Sequence, residues 1–193
     1  MKKMILFLIL IGFFISSCFN NDIVSPEEPV IEKTSSPNWI TLPESSEKSL
    51  EKEFSKSQWV FHSYGGTIGL YKLYWSWSHG WVSINASISF DREFYDKDLY
   101  GSFQIIKLTV DDNTCSSTFS PRMDFLKPAT YNIKYTGLNL SNVDLSNVDF
   151  VYQAEDGSVE YLQYESINVD AGAGVIEVVN AKIPHFSRFG FVN

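Results

Sequence analysis

Aromatic side chains crowd one short stretch: Tyr71, Tyr74, Trp75, Trp77 and Trp81. Indole and phenol rings stack on the apolar faces of pyranose rings, so this run is a candidate carbohydrate platform. Tyr74, Trp77 and Trp81 are its candidate stacking residues. The competing reading is cross-strand aromatic pairing and core packing. Acidic residues cluster at Asp91, Glu93, Asp96 and Asp98, and again at Asp111 and Asp112. Calcium favours oxygen-rich loops, but EF-hand spacing is missing, so these read as solvated loop charges. His62, His79 and His185 lack ligand spacing, and neither metal nor cofactor is expected. There is no Gly-x-Ser-x-Gly elbow, and Cys115 reads as a small buried or loop residue. Nothing here points to an enzyme.

The elements that carry these residues have period two. Tyr71, Leu73, Trp75 and Trp77 alternate with Lys72, Tyr74 and Ser76. That phase puts Tyr71, Trp75 and Trp77 on the core face with Leu73, and Tyr74 on the opposite face. Ser78-His79-Gly80 is a turn signal. Val82, Ile84, Ala86, Ile88 and Phe90 then alternate with Ser83, Asn85, Ser87 and Ser89, which completes a hairpin. Further strand patterns fall at 103–110, 129–136, 148–152, 159–161, 167–169, 175–181 and 186–192. The expectation is an all-β antiparallel sandwich or barrel of about eight to nine strands over residues 57–193. Leu140-Ser141-Asn142-Val143-Asp144 repeats as Leu145-Ser146-Asn147-Val148-Asp149. Two copies are too few for a solenoid and predict a turn-rich connection.

Residues 18–56 have a different composition. Pro26, Pro29, Pro37 and Pro43 lie here among Ser, Glu and Lys, which predicts a disordered polar tether. Trp39, Ile40 and Leu42 are its apolar exceptions, placed to pack on the domain or on a partner. The chain carries 15 basic and 23 acidic residues, a net charge of -8. Phosphate binding needs Lys/Arg clusters, so nucleic acid is not an expected partner.

Residues 1–17 have the layout of an export signal. Lys2 and Lys3 precede the apolar run Met4–Phe14, which is shorter than the roughly 20 residues a bilayer span requires. Ile15-Ser16-Ser17-Cys18 follows. This resembles the lipobox of bacterial lipoproteins, and the resemblance implies that Cys18 becomes the lipid-bearing N-terminus. Phe19 follows the cysteine, where an Asp retains some lipoproteins in the inner membrane. That favours a lipid anchor in the outer membrane of a Gram-negative cell envelope, on its periplasmic or its outer surface. With Cys18 acylated, Cys115 has no intramolecular partner, so a disulfide scaffold is excluded.

Gly65-Gly66-Thr67-Ile68, Phe119-Ser120-Pro121, Phe125-Leu126-Lys127-Pro128-Ala129 and Ile183-Pro184-His185-Phe186-Ser187 occur in this order. The series resembles the Zu-five domain, the β-sandwich of zonula occludens proteins, netrin receptors and ankyrins, over roughly 60–193. One element departs: Phe90-Asp91-Arg92-Glu93-Phe94 stands where the family has an apolar-Pro-x-Gly-Ala element. The resemblance implies a β-sandwich and a protein-interaction role without general enzymatic activity. In the function-to-find domains of inflammasome sensors, which contain a Zu-five half, a Phe-Ser bond at such a position cuts itself. By that analogy the Ser187 hydroxyl would attack the Phe186 carbonyl in an N-to-O acyl shift, with His185 or another base taking the proton. The competing reading is a final strand with Phe186 inward and His185 and Ser187 outward. The expected function is a lipid-anchored, non-enzymatic structural or interaction module of the cell envelope, bound to an envelope protein or glycan. The alternative is a carbohydrate-binding surface lipoprotein using the Trp75–Trp81 hairpin.

Overall fold

The computed structural model describes residues 37–46, 54–154 and 156–193. The chain divides into Met1–Glu32, which falls outside those residues, and Lys33–Asn193, the β domain. The expected export signal and Cys18 therefore lie outside the described residues. The elements run β1 (Phe54–Phe61), β2 (Gly66–Ser76), β3 (Gly80–Phe90), a short helix α1 (Lys97–Tyr100), β4 (Phe103–Val110), β5 (Ser116–Ser120), β6 (Asp124–Thr136), β7 (Asp149–Gln153), β8 (Val159–Tyr161), β9 (Ser166–Asp170), β10 (Val175–His185) and β11 (Arg188–Val192). They form an all-β sandwich of two antiparallel sheets. One has the order β1-β4-β5-β11-β7-β8, the other β2-β3-β6-β10-β9.

The alternation of side chains explains why the sheets stack. In β3, Val82, Ile84, Ala86, Ile88 and Phe90 are buried, while Trp81, Ser83, Asn85, Ser87 and Ser89 stand on the other side. In β6, Ala129, Tyr131, Ile133 and Tyr135 are buried and Thr130, Asn132, Lys134 and Thr136 are not. Successive residues of a strand point to opposite faces, so each sheet has one apolar face to hide. Ile106, Leu108 and Val110 of β4 and Phe189 and Phe191 of β11 supply the opposing wall of a single core.

Among the described residues eleven strands are present where the pattern suggested eight or nine. The two beyond the pattern are β1 and β5. β5 reads Ser-Ser-Thr-Phe-Ser, which carries no apolar alternation, yet Ser116 and Ser117 are buried. Their hydroxyls are satisfied inside: Ser117 shares a 2.7 Å hydrogen bond with the Tyr131 hydroxyl. Ser116 Oγ accepts from the Arg188 guanidinium at 3.1 Å. Buried polar groups persist where they are paired in this way.

Part of the segment assigned to the tether belongs to the sandwich. Ile40 and Leu42 are buried in the core. The Ile40 N–H donates to Phe191 O at 3.0 Å, and the Cys115 N–H donates to Ile40 O at 2.7 Å. The segment thus adds strand-like pairing at Trp39–Val192 and Thr41–Thr114. Arg188 seals it: its guanidinium lies 5.0 Å from the Trp39 ring and 3.3 Å from Asp111 Oδ2. Strand β1 also starts at Phe54, ahead of the expected domain boundary at residue 57, with Phe54 opposite Val110.

The motifs behind the Zu-five resemblance have structural work. Gly65 sits at φ +68°, and a Cβ there would lie 2.0 Å from Phe90 O, so the β1–β2 turn requires glycine. Phe119, Phe125 and Phe186 meet Phe90 and Phe94 in one aromatic cluster. Phe119 and Phe186 stack at 5.5 Å, and Phe125 meets Phe186 edge-on at 4.8 Å. The repeated pentapeptide is a pair of side-chain-closed turns. Ser141 Oγ donates to Asn139 Oδ1, and Ser146 Oγ donates to Asp144 Oδ1.

Candidate functional site

The β2–β3 hairpin carries the candidate site on its outward face. Register pairs Thr67 with Ser89, Gly69 with Ser87, Tyr71 with Asn85, Leu73 with Ser83 and Trp75 with Trp81. These ten positions all point away from the core, and none of them is charged. Tyr71 is 66% exposed, Leu73 47%, Trp75 40% and Trp81 62%. The Trp75 and Trp81 rings meet at 5.3 Å and 80°, one edge against one face. Trp77, on the turn beyond, is exposed as well.

This corrects the phase read from the sequence. Tyr71, Leu73 and Trp75 face solvent, and the core row of β2 is Ile68, Leu70, Tyr74 and Ser76. The row looked polar because it contains Lys72 and Ser76. Ser76 is buried and shares a 3.2 Å hydrogen bond with Ser78. Lys72 is half-buried, with its ammonium 4.6 Å from the centre of the Phe54 ring. Tyr74, a candidate stacking residue, is buried instead. Its hydroxyl donates to Pro43 O at 2.9 Å, and burial pushes its pKa far up. Of the three candidate stacking residues, Trp77 and Trp81 are on the surface and Tyr74 is not. Tyr71 and Trp75, assigned to the core, join them.

The ridge borders a polar field. Ser83 Oγ and Thr136 Oγ1 share a 2.8 Å hydrogen bond across β3 and β6. Lys134 stands opposite Asn85 in the β3–β6 register, and its Nζ pairs with Glu177 Oε2 at 3.8 Å. A second exposed apolar group lies on the other sheet, where Trp59 pairs with Ile105 and Phe61 with Phe103. The Trp59 and Phe103 rings are 4.8 Å apart.

His185, Phe186 and Ser187 form the corner where β10 of one sheet passes into β11 of the other. Phe186 is buried in the aromatic cluster. Ser187 Oγ donates to Gln153 O at 3.3 Å. The His185 ring packs against Tyr152, centroids 4.5 Å apart. The hydroxyl and the imidazole are thus both turned to partners other than the Phe186–Ser187 bond, an arrangement suited to a strand corner.

The acidic loops have local duties. Asp96 caps α1 through a 2.9 Å bond from the Asp98 N–H. Asp111 Oδ1 accepts from the N–H groups of Asn113 and Thr114. Among the described residues, no three His, Cys, Asp or Glu side chains gather as a metal-binding group. Cys115 is a free thiol at zero exposure; burial, with Asp111 nearby, holds its pKa well above the usual thiol value. A thiol so placed is a poor nucleophile. No helix among the described residues is long and apolar enough to cross a membrane.

No family model matches this chain, and no curated protein or solved structure matches it.

Proposed function

We propose that this is a lipid-anchored, non-enzymatic binding module of the cell envelope, acting through the outward face of the β2–β3 hairpin. The observation that carries this reading is the exposure of Tyr71, Leu73, Trp75 and Trp81 on one uncharged face. A contiguous apolar group that folding does not bury marks a binding surface in a soluble domain. The lipobox at Ile15-Ser16-Ser17-Cys18 supports an anchor on Cys18, and Phe19 supports the outer membrane. The Zu-five-like order of motifs supports an interaction role.

The test has two parts. In cells fed labelled palmitate the wild-type chain takes up label and Cys18→Ala does not; a wild-type chain without label, or a labelled variant, overturns the anchor on Cys18. Purified chain is then mixed with isolated envelopes, and Trp75→Ala/Trp81→Ala loses its retention there. Undiminished retention overturns the face as the binding surface. Hydrolysis of a defined polymer by the purified chain overturns the non-enzymatic reading.

A further inference from the structure

We infer that the occupant of this face is a neutral glycan chain, held lengthwise along β2. The inference rests on the proposed binding role of the β2–β3 face and names its ligand.

Charge is the first reason. The protein carries 38 charged residues in 193, yet the five outward cross-strand pairs of β2 and β3 carry none. The nearest ammonium on the adjoining strand, Lys134, is already paired with Glu177. A face without net charge has no ionic means of recognising a phosphate, a polyanion or a basic peptide.

The mixture of residue types is the second reason. An apolar ridge runs along β2, and a row of Ser83, Asn85 and Ser87 runs beside it on β3. Protein–protein interfaces share the aromatic enrichment of the ridge but are enriched in Arg and depleted in Ser, whereas this face has three serines and no arginine. Membrane-surface elements put Lys and Arg around their apolar face; here the neighbouring residues are mostly Ser, Asn and Thr, and the bordering Lys134 is paired with Glu177. Pyranose rings have the complementary make-up. Their axial C–H faces are apolar and their equatorial hydroxyls donate and accept hydrogen bonds. The Asn85 carboxamide offers one acceptor and two N–H donors, and it has no hydrogen-bond partner among the described residues.

Geometry is the third reason. Tyr71, Leu73 and Trp75 lie two residues apart on one strand, so the ridge extends about 13 Å from Tyr71 to Trp75. That length suits several linked sugars rather than one. The edge-to-face Trp75–Trp81 pair makes a corner at one end. One indole presents its face to a sugar ring while the other abuts the ring's rim.

The experiment uses the full chain in detergent with neutral hexasaccharides of glucose, xylose, mannose and N-acetylglucosamine, followed by tryptophan fluorescence and calorimetry. At least one hexasaccharide binds and its monosaccharide binds far more weakly. Trp75→Ala and Trp81→Ala each weaken binding by about tenfold, a change that direct titration resolves. Asn85→Asp, which places a carboxylate in the polar row, weakens it too. Trp59→Ala, on the other sheet, leaves binding unchanged and controls for general damage; circular dichroism checks that each variant is folded. Absence of binding to all four probes overturns the glycan, as does binding that ignores Trp75 and Trp81. Flotation on phosphatidylethanolamine–phosphatidylglycerol vesicles by the unacylated Cys18→Ala chain, or self-association in sedimentation, distinguishes the two levels. If either occurs and requires Trp75 and Trp81, the face is a binding surface with a different occupant. If neither occurs and no probe binds, the glycan falls, and the proposed binding role falls with it only if retention on isolated envelopes does not depend on Trp75 and Trp81.

Discussion

Two aromatic groups in this domain have opposite fates. Phe90, Phe94, Phe119, Phe125 and Phe186 come from five places in the chain and close one end of the core. Tyr71, Trp75 and Trp81 come from one hairpin and remain in water. The internal group is held by long-range contacts, so its rings are committed to the sandwich. In the external group Trp75 meets Trp81 across the strands, and the rings stay exposed. Loss of an internal ring should therefore be felt in stability, and loss of an external ring in binding.

Phe186→Ala gives the largest effect. The ring touches Phe90, Phe119 and Phe125 at centroid distances of 5.9, 5.5 and 4.8 Å. Removing it from a buried site leaves a cavity and costs about 3–5 kcal/mol. Urea unfolding of the purified chain should show a midpoint shift of that size with little change in slope. A loss below about 1 kcal/mol would mean that the corner collapses around the missing ring, and the two groups would then differ little in their hold on the fold.

Alkaline pH gives the next effect, and it also acts on the interior. Burial raises the pKa of Tyr131 and Tyr135 well above the usual tyrosine value of 10.0. Above pH 10 the unfolded chain gives up these protons while the folded chain keeps them. The unfolded state then binds fewer protons, so stability falls as pH rises. Each tyrosine contributes a loss of about 1.4 kcal/mol per pH unit beyond that point. The stability contribution is whole below pH 10 and is lost toward the raised folded value. Unfolding midpoints measured from pH 9 to pH 11.5 should decline together with the appearance of tyrosinate absorbance. A flat profile would mean that these hydroxyls titrate freely.

Ser117→Ala acts at the same place with a smaller effect. It deprives the buried Tyr131 hydroxyl of its partner at 2.7 Å, which costs about 1–3 kcal/mol. Tyr131→Phe in the Ser117→Ala background removes the orphaned hydroxyl and should recover part of the loss. Without recovery, the effect of Ser117 comes from its packing rather than from this bond.

That serine also marks where sequence reasoning stopped. β3 was legible because every inward residue is apolar and the interior outward positions are Ser and Asn. β5 was not, because its buried positions are serines whose pairing with Tyr131 and Arg188 exists only across sequence distance. β2 was legible as a strand and wrong in phase. Both of its faces carry large side chains, so period two identifies the strand without telling inside from outside. The tie-breakers pointed the wrong way, since Lys72 and Ser76 sit in the inward row. The ridge itself could be found in the sequence; its exposure could not be read from β2 alone. Phase could have been taken from the partner strand instead. Register pairs Tyr71 with Asn85 and Leu73 with Ser83, and both partners belong to the plainly polar face of β3. A hairpin's less ambiguous strand sets the orientation of the other.

Trp75→Ala is the smallest change for the fold and the one that most sharpens the contrast. The ring is 40% exposed and its close aromatic neighbour is Trp81. An exposed cross-strand aromatic pair contributes roughly 0.2–1 kcal/mol, so Trp75→Ala should move the urea midpoint barely beyond error. Trp81→Ala should do the same. The double variant should lose less than the sum of the singles, because each single already removes the shared contact. A destabilisation near that of Phe186→Ala would place Trp75 among the residues that hold the sandwich together. In that case its exposure would be incidental to packing, and the ridge would no longer be free for a ligand. A small loss leaves the rings without a structural reason to be there, so what keeps them must come from what they touch outside the chain.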